Sequence, residues 1–94
     1  MLIRWTSKAL DNLDAAVNHI AGDSPGNGQK VAQKIWDSVQ LLRQQPGMGR
    51  PGRVAGTREL VIPSLPFIVP YAEYNGEIVI LRIMHTSMKW PTLL

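Results

Sequence analysis

The amino-acid sequence predicts an α+β domain in which an N-terminal antiparallel helical hairpin packs on a small, mainly antiparallel β-sheet. Apolar residues recur every three or four positions up to about residue 44, which indicates helices. Beyond residue 56 the chain is rich in β-branched and aromatic residues and contains an Asn-Gly pair, which indicates strands and a tight hairpin. A chain of 94 residues supplies one core, so residues 1–94 are expected to form a single domain.

The first helix is predicted to follow a short strand at Leu2–Trp5. Thr6 or Ser7 offers a side-chain oxygen that can cap the free N–H groups at the start of the helix. A run of turn-forming residues at 21–28 is expected to end it. Its apolar face, spaced by steps of three and four residues, is Leu10, Leu13, Val17 and Ile20.

The second helix is predicted over residues 29–44, and Pro46-Gly47 ends it. Two helices joined by a short turn are expected to pack against each other as a hairpin. Trp36 and Leu41 lie beside the main apolar stripe, and a domain of this size can hardly bury every apolar side chain. They therefore mark a candidate interaction patch. The main stripe is Val31, Ile35, Val39 and Leu42.

Three further strands are predicted at residues 57–62, 67–74 and 77–84, and Asn75-Gly76 forms the hairpin between the last two. The last strand is almost continuously hydrophobic, which favours an interior position in the sheet. Pro70 lacks a backbone donor, so its missing N–H should face away from a neighbouring strand or lie at a bulge. Because the helices alone cannot cover both faces of the sheet, one sheet face or groove is expected to carry the basic residues and to be open to a partner.

The composition excludes several classes of protein. The net charge of +3 and the pI of about 9.7 fit a mildly basic soluble protein as well as one that binds nucleic acid. There is no cysteine, which excludes disulfides, thiolate metal ligands and a cysteine nucleophile. We expect no cofactor and no metal. No apolar run approaches the length of a membrane span and the start of the chain is too short for a signal-peptide core, so a cytoplasmic protein is expected.

The arginines of the central segment are the main candidates for binding. Four arginines and no acid occur from Arg43 to Arg58. Arg50 and Arg53 flank Pro51-Gly52, a predicted turn, where two guanidinium groups could grip phosphates or carboxylates. The alternative is that these are ordinary solvated loop arginines.

Alternation along the predicted strands sets further expectations. Arg58 and Glu59 should point to opposite faces, with one toward the binding surface and the other toward solvent, or both in a simple surface pair. Arg82 interrupts an apolar strand, and a buried cation needs a partner. By alternation Arg82 and His85 diverge unless the strand bulges or ends between them. His85 could therefore be structural, holding the turn at residues 86–87.

The C-terminal segment offers one more candidate. Lys89 and Trp90 could stack a base or an aromatic ligand, or Trp90 could anchor the end of the chain against the core. His19 is expected to be an ordinary surface or boundary residue.

Several segments together resemble a known protein superfamily. The chain is similar to the RelE/ParE toxins of bacterial type II toxin–antitoxin modules, nearest to the ParE-like and StbE-like members, over nearly its whole length. The segments that carry the resemblance are Gly49-Arg50-Pro51-Gly52-Arg53, Gly56-Thr57-Arg58-Glu59-Leu60-Val61, Phe67-Ile68-Val69-Pro70-Tyr71, Ile80-Leu81-Arg82-Ile83, and His85 to Trp90-Pro91.

The resemblance implies two kinds of activity, because the superfamily holds both inhibitors of DNA gyrase and ribosome-dependent mRNA endonucleases. ParE-like members bind gyrase and trap its cleaved DNA complex without catalytic machinery. By the resemblance, active RelE-like nucleases carry a denser set of lysines and arginines and a tyrosine or a histidine near the C-terminus. Here His85 occupies the position that resembles the nuclease histidine, but the tail after Trp90 has no tyrosine, lysine or arginine, and this incomplete set favours gyrase inhibition. The alternatives are a metal-independent endoribonuclease, and an inert partner and co-repressor of an antitoxin.

Each activity assigns roles to particular residues. A nuclease would use Arg58 and Arg82 for charge, with His85 or Glu59 for proton transfer. In either activity a cognate antitoxin is expected to cover Trp36 and Leu41 in a hetero-oligomer. The expected target-binding residues, facing gyrase or else the ribosome and mRNA, are Arg50, Arg53, Arg58, Arg82, Lys89 and Trp90.

Overall fold

A computed structural model describes residues 1–23, 26–87, 89–91 and 94, with the side chains of residues 19–23 left aside. The predicted strand Leu2–Trp5 is confirmed and begins the fold. The predicted character of His19 lies outside the described side chains. The elements in chain order are β1 (Leu2–Trp5), α1 (Ser7–Asp23), α2 (Asn27–Gln40), a 3-10 turn (Leu41–Arg43), β2 (Arg50–Pro51), β3 (Arg58–Val61), β4 (Phe67–Tyr74), β5 (Glu77–Ile80) and β6 (Met84–His85).

The strands form a mixed, mostly antiparallel sheet with the two helices packed on it, which confirms the predicted α+β class. In the described part of the chain the sheet has six strands, in the order β1-β5-β4-β3-β2, and β6 pairs with β4 beyond the end of β5. β1 runs parallel to β5 and the other pairs are antiparallel. β5 is an interior strand, as its hydrophobicity predicted.

Thr6 joins the start of α1 to the middle of the sheet. Its Oγ1 accepts the N–H of Ala9 at 3.0 Å, which is the capping bond expected at this helix terminus. The same hydroxyl donates to the carbonyl oxygen of Leu81 at 3.0 Å, and the Thr6 N–H donates to the Ile80 oxygen at 3.1 Å. The cap therefore also fixes where α1 begins relative to the end of β5.

The helices differ from their predicted ranges at three ends. α1 continues to Asp23, and α2 begins at Asn27 rather than residue 29, after Gly26 in the left-handed region at φ 92°. α2 ends at Gln40, where a 3-10 turn to Arg43 replaces the predicted last turn of α-helix. Tightening of a final turn in this way is common, because it satisfies free carbonyl groups.

The core lies between the helices and one face of the sheet. α2 buries its predicted stripe, and Leu42 of the 3-10 turn is also buried. In α1 the prediction fails at Leu10, which is 51% exposed, while Ala9 is fully buried. The sheet contributes alternate residues of its interior strands, namely Leu60, Phe67, Val69, Tyr71, Ile78 and Ile80.

The second face of the sheet is less open than expected. Ile68, Pro70 and Met84 point away from the helical core, and all three are buried. Large exposed side chains occur on this face near the β4–β5 hairpin, at Leu2 (66%) and Tyr74 (64%). The second face is therefore not open over its whole extent, which leaves a groove or the rim of the sheet as the place for an open basic surface.

A one-residue bulge separates β5 from β6. Tyr71 pairs with Ile80, and Ile68 pairs with Met84, so two residues of β4 lie opposite the three residues that connect β5 to β6. The Leu81 N–H donates to the Pro70 oxygen at 2.9 Å, so the ring nitrogen of Pro70 faces the irregular residues. This is one of the two placements predicted for a proline within a sheet.

The two predicted turns have different outcomes. Asn75 and Gly76 both have positive φ, at 50° and 76°, which is the backbone of a type I′ hairpin and confirms that prediction. The predicted turn at Pro51-Gly52 is wrong, because Pro51 belongs to β2 and pairs with Arg58. The chain reverses later, where the Thr57 N–H donates to the Val54 oxygen at 3.2 Å.

Within the described residues, neither α-helix combines the length and apolar character needed to cross a membrane.

Candidate functional site

A buried carboxylate lies at the centre of the β2–β3 hairpin. Glu59 is only 2% exposed, and its Oε1 accepts hydrogen bonds from Nε and Nη2 of Arg50 at 3.2 and 3.1 Å. Its Oε2 accepts the backbone N–H of Arg53 at 2.8 Å. An unpaired buried charge would be strongly destabilising, so these three bonds are what permit the burial. Glu59 therefore faces neither solvent nor a partner, and it neutralises the arginine that precedes it across the hairpin.

Arg50 and Arg53 both remain available at the surface. The side chain of Arg50 is 52% exposed despite its ion pair. Arg53 is exposed, and its Cζ lies 4.2 Å from the centroid of the Trp90 ring, within the range of a cation–π contact. Lys89 is exposed next to Trp90. The structure thus joins Arg53 to Trp90 directly and to Arg50 through Glu59, and Lys89 is adjacent to Trp90 in the chain.

Arg58 points to the other side of the sheet from Glu59, as alternation predicted. It pairs with Tyr71 of β4, and its Nη1 donates to the Gly49 oxygen at 2.9 Å. The residue is exposed, so one end of its guanidinium supports the backbone while the rest is accessible. Arg58 is therefore both a candidate contact and a structural support.

A fully buried tyrosine fixes the loop that leads into β2. The hydroxyl of Tyr71 donates to the Pro46 oxygen at 2.7 Å and accepts the Gly49 N–H at 2.9 Å. Gly49 is required at this point, because a Cβ atom there would lie 2.7 Å from Cε1 and from the hydroxyl of Tyr71. The three residues hold the carbonyl to which Arg58 donates.

Arg82 is set apart from the hairpin arginines. It lies in the bulge between β5 and β6, and its Nε is buried without a hydrogen-bond partner among the described residues. The ion pairs found in the described part of the chain, Arg4 with Glu77 and Arg50 with Glu59, do not include it.

His85 ends β6, and its ring holds the turn that follows, which is one of the two roles predicted for it. Its Nδ1 accepts the backbone N–H of Ser87 at 3.1 Å and lies 2.7 Å from the Ser87 hydroxyl. Its ring meets Phe67 edge to face at 5.5 Å. No hydrogen bond among the described residues joins His85 to Arg82, Arg58 or Glu59. The predicted nuclease residues are therefore not linked to one another by hydrogen bonds.

His85 borders a cavity in the described part of the chain. The cavity has a volume of about 430 Å³ and lies between α1 and the ends of β4 and β6. No three His, Asp or Glu side chains among the described residues lie close enough together to hold a metal ion. The cavity lining is Asn12, Ala15, Ala16, Phe67, Ile83, His85 and Ser87.

The predicted helical patch is exposed. Trp36 is 47% exposed and stacks on Trp5, with ring centroids 5.9 Å apart and planes at 10°. Leu41 is 54% exposed and borders a shallow depression on α2, which Lys30 and Lys34 also line. Asp37 lines the same depression as the two lysines, and Trp36 lines a separate one with Leu13 and Ala32. Exposed apolar side chains among polar neighbours form a surface suited to an amphipathic partner.

Sequence reasoning missed Glu59 and Tyr71 as organising residues. The clue was available for Glu59, since it is the first acid after four arginines. Which of Arg58 and Glu59 is buried depends on β2, because pairing places Arg50 directly opposite Glu59. The residue pattern alone predicted a turn at Pro51-Gly52 and gave no sign of the strand β2.

Replacing Tyr71 by phenylalanine should reduce the free energy of unfolding by about 1–3 kcal/mol. The change leaves the Gly49 N–H and the Pro46 carbonyl without their partner while preserving the packed ring. Urea unfolding of the variant measures the loss, and Tyr74→Phe, on a 64% exposed ring, is the matched control. A loss no larger than that of the control would show that the hydroxyl does not stabilise the loop.

The chain is similar to several bacterial toxins. The family profile described as "ParE toxin of type II toxin-antitoxin system, parDE" matches residues 3–90. A candidate toxin of Sinorhizobium fredii named Y4kP is 40% identical over 92 residues, covering 98% of this chain and 95% of the relative. Toxin RelE2 of Caulobacter vibrioides is 32% identical over 83 residues, covering 88% of this chain and 92% of that protein. A solved structure described as "Chromosomal ParDE TA system from P. aeruginosa" matches with a TM-score of 0.85 and 38% identity, covering 90% of this chain and 95% of that one.

Proposed function

Because the chain belongs to the ParE toxin family of type II toxin–antitoxin systems, we propose that it is a cytoplasmic toxin that binds and inhibits DNA gyrase. The observation that carries the proposal is the surface formed by Arg50, Arg53, Lys89 and Trp90. Two segments distant in sequence meet there through the contact between Arg53 and Trp90. We refer to these four residues as the hairpin–tail surface.

The chemistry of the hairpin–tail surface suits binding rather than catalysis. Its cations can contact carboxylates or phosphates, and arginine and tryptophan are both among the residues enriched at binding hot spots. The carboxylate beneath it, Glu59, is buried and already accepts three hydrogen bonds, so it is poorly placed to take a proton from a substrate. Arg58 belongs to the same hairpin but points to the opposite side of the sheet from Glu59, so it adds a second exposed cation to the hairpin outside this surface.

The alternative function, a ribosome-dependent mRNA endonuclease, requires a general base and a general acid at the scissile phosphate. His85 is the candidate, but its Nδ1 already accepts the Ser87 N–H. Its Nε2 could still act, so the alternative is tested directly by mutation.

A His85→Ala variant should remain toxic if the protein acts by binding gyrase. A nuclease that uses this ring for proton transfer would instead lose about 10²-fold or more in rate. Growth arrest after graded induction measures the difference, with a melting curve to confirm folding. Ser87→Ala is the matched control, because it loses the hydroxyl near Nδ1 but keeps the ring. Loss of toxicity in folded His85→Ala alone would contradict the gyrase proposal.

We further propose that a cognate antitoxin neutralises the toxin by covering the helical patch around Trp36 and Leu41. The solved structure similar to this chain is described as a ParDE toxin–antitoxin system. The patch is exposed and apolar, and Lys30 and Lys34 beside Leu41 would favour an acidic amphipathic segment. Such a segment could be disordered alone and fold on binding.

A further inference from the structure

Glu59 binds the backbone of Arg53 in addition to the side chain of Arg50, and neutralising Arg50 does not explain that second contact. Oε1 binds the Arg50 side chain, but Oε2 is committed to the backbone N–H of Arg53. One side chain therefore fixes both ends of the segment from Arg50 to Arg53. Because Arg50 is half exposed, its charge alone would not require a fully buried partner.

The segment between these two ends is also held along its length. The Gly52 N–H donates to the Thr57 oxygen at 2.9 Å. Gly52 lies so close to Thr57 that a Cβ atom would collide with its side chain and its carbonyl group. The backbone from which the Arg53 side chain departs is consequently fixed on β3.

The contact between Arg53 and Trp90 depends on this placement. Among the described residues, the Arg53 side chain has no hydrogen-bond or ion-pair partner, and its contact with the ring is the 4.2 Å approach to Trp90. A cation–π contact at an exposed site is weak. It can order a flexible side chain only if the two backbones are already held at the right separation.

We propose that Glu59 is a positioning residue, which holds the Arg53 backbone so that the guanidinium lies over Trp90 and the hairpin–tail surface is formed before the target binds. This inference rests on the proposed function and identifies the residue that organises its surface. Preorganisation of this kind lowers the entropic cost of binding, because fewer side chains are ordered on contact.

The neighbouring arginine provides an internal control. Arg58 is anchored by the Gly49 oxygen, not by Glu59. Removing the Glu59 carboxylate should therefore release Arg53 and leave Arg58 in place. A general loss of structure in the hairpin would disturb both.

The test is a side-chain NMR comparison of Glu59→Met, Glu59→Gln and the native chain. The indole ring current should shift the Arg53 side-chain protons upfield, and Trp90→Leu gives their unshifted positions. We expect this upfield shift to be largest in the native chain, smaller in Glu59→Gln and smallest in Glu59→Met. The Gln variant keeps one acceptor for the Arg53 N–H, and the Met variant keeps none. The chemical shifts of the Arg58 side chain should stay unchanged in all variants of Glu59. Glu77→Met is the matched control, since Glu77 also pairs with an arginine, Arg4, at 3.6 Å.

Gyrase inhibition by the same variants links the contact to function. Glu59→Met should need at least about tenfold more protein for equal inhibition, equivalent to one charge-assisted hydrogen bond. If the Met variant does not fold, the Gln variant is compared with the native chain alone. An unchanged Arg53 shift in a folded Glu59 variant would overturn the positioning role. A lost shift with unchanged inhibition would uphold the positioning role and contradict the hairpin–tail surface as the target site.

Discussion

Replacing both Arg53 and Arg58 by glutamine is expected to abolish toxicity while leaving a folded protein. The double change removes two cations from the hairpin that carries the proposed target surface. Exposed substitutions usually change stability by under about 0.5 kcal/mol. Arg58 also donates to the Gly49 oxygen, so losing that bond adds about 1 kcal/mol, and a lowering of the melting temperature by several degrees is expected. The measurements are a thermal melt and growth arrest after induction.

The control for this experiment is a pair of cations away from the hairpin. Lys8 on α1 and Arg43 on the 3-10 turn are both exposed, so Lys8→Gln with Arg43→Gln removes the same charge elsewhere. This variant should remain toxic. If the Arg53/Arg58 variant is folded and still fully toxic, these arginines have no part in the mechanism, and the target site has to be sought on the helical hairpin.

Replacing Trp36 by aspartate is expected to weaken antitoxin binding by at least ~2 kcal/mol, the threshold for a hot spot. The indole is half exposed and stacked flat on Trp5, so it offers a large, rigid apolar surface at low entropic cost. An aspartate removes that surface and adds a charge that repels an acidic partner. Calorimetry of the toxin with its antitoxin measures the change in Kd.

The matched control for Trp36 is Tyr74→Asp. Tyr74 is an exposed aromatic at the β4–β5 hairpin, outside the helical patch, so its substitution should leave antitoxin affinity unchanged. Equal affinities for the native chain and Trp36→Asp would show that the indole serves only to cover Trp5. Toxicity without antitoxin should persist in both folded variants, because neither residue belongs to the hairpin–tail surface.

The elements of the fold were predictable because their patterns are local. β4 occupies the predicted range, and Val31, Ile35 and Val39 of α2 are buried as their spacing required. The Asn75-Gly76 turn forms because both residues tolerate positive φ. Each of these outcomes depends on residues close together in sequence.

The bulge and the burial of α1 depend on contacts that are distant in sequence. The Ile83 N–H donates to Oδ1 of Asn12 at 3.1 Å, across 71 residues, and no local pattern indicates that bond. Leu10 fits a helical apolar stripe, but the sheet lies beneath Ala9 instead. Where a helix rests on a sheet is set by both partners, so the pattern of the helix alone cannot identify the buried residue.

The sequence predicted which residues belong to the candidate site, but only part of how they are arranged. Its cations were identified from charge and turn residues, and the structure links Arg50 and Arg53 through Glu59 and places Arg53 against Trp90. The buried carboxylate was missed because Glu59 looks like a surface residue until the short strand β2 brings Arg50 opposite to it. A strand of two residues is too short to show the alternation of apolar and polar side chains by which strands are predicted.

The most direct test of the account mixes the purified toxin with DNA gyrase, ATP and supercoiled plasmid, and in parallel with a translating ribosome system. The account predicts gyrase-dependent linear plasmid after protein digestion, suppressed by excess antitoxin, and no codon-phased cuts in the ribosome-bound mRNA. Prompt mRNA cleavage with intact gyrase activity would contradict it in favour of the endonuclease. Absence of both effects from a folded toxin would contradict it in favour of an inert antitoxin partner.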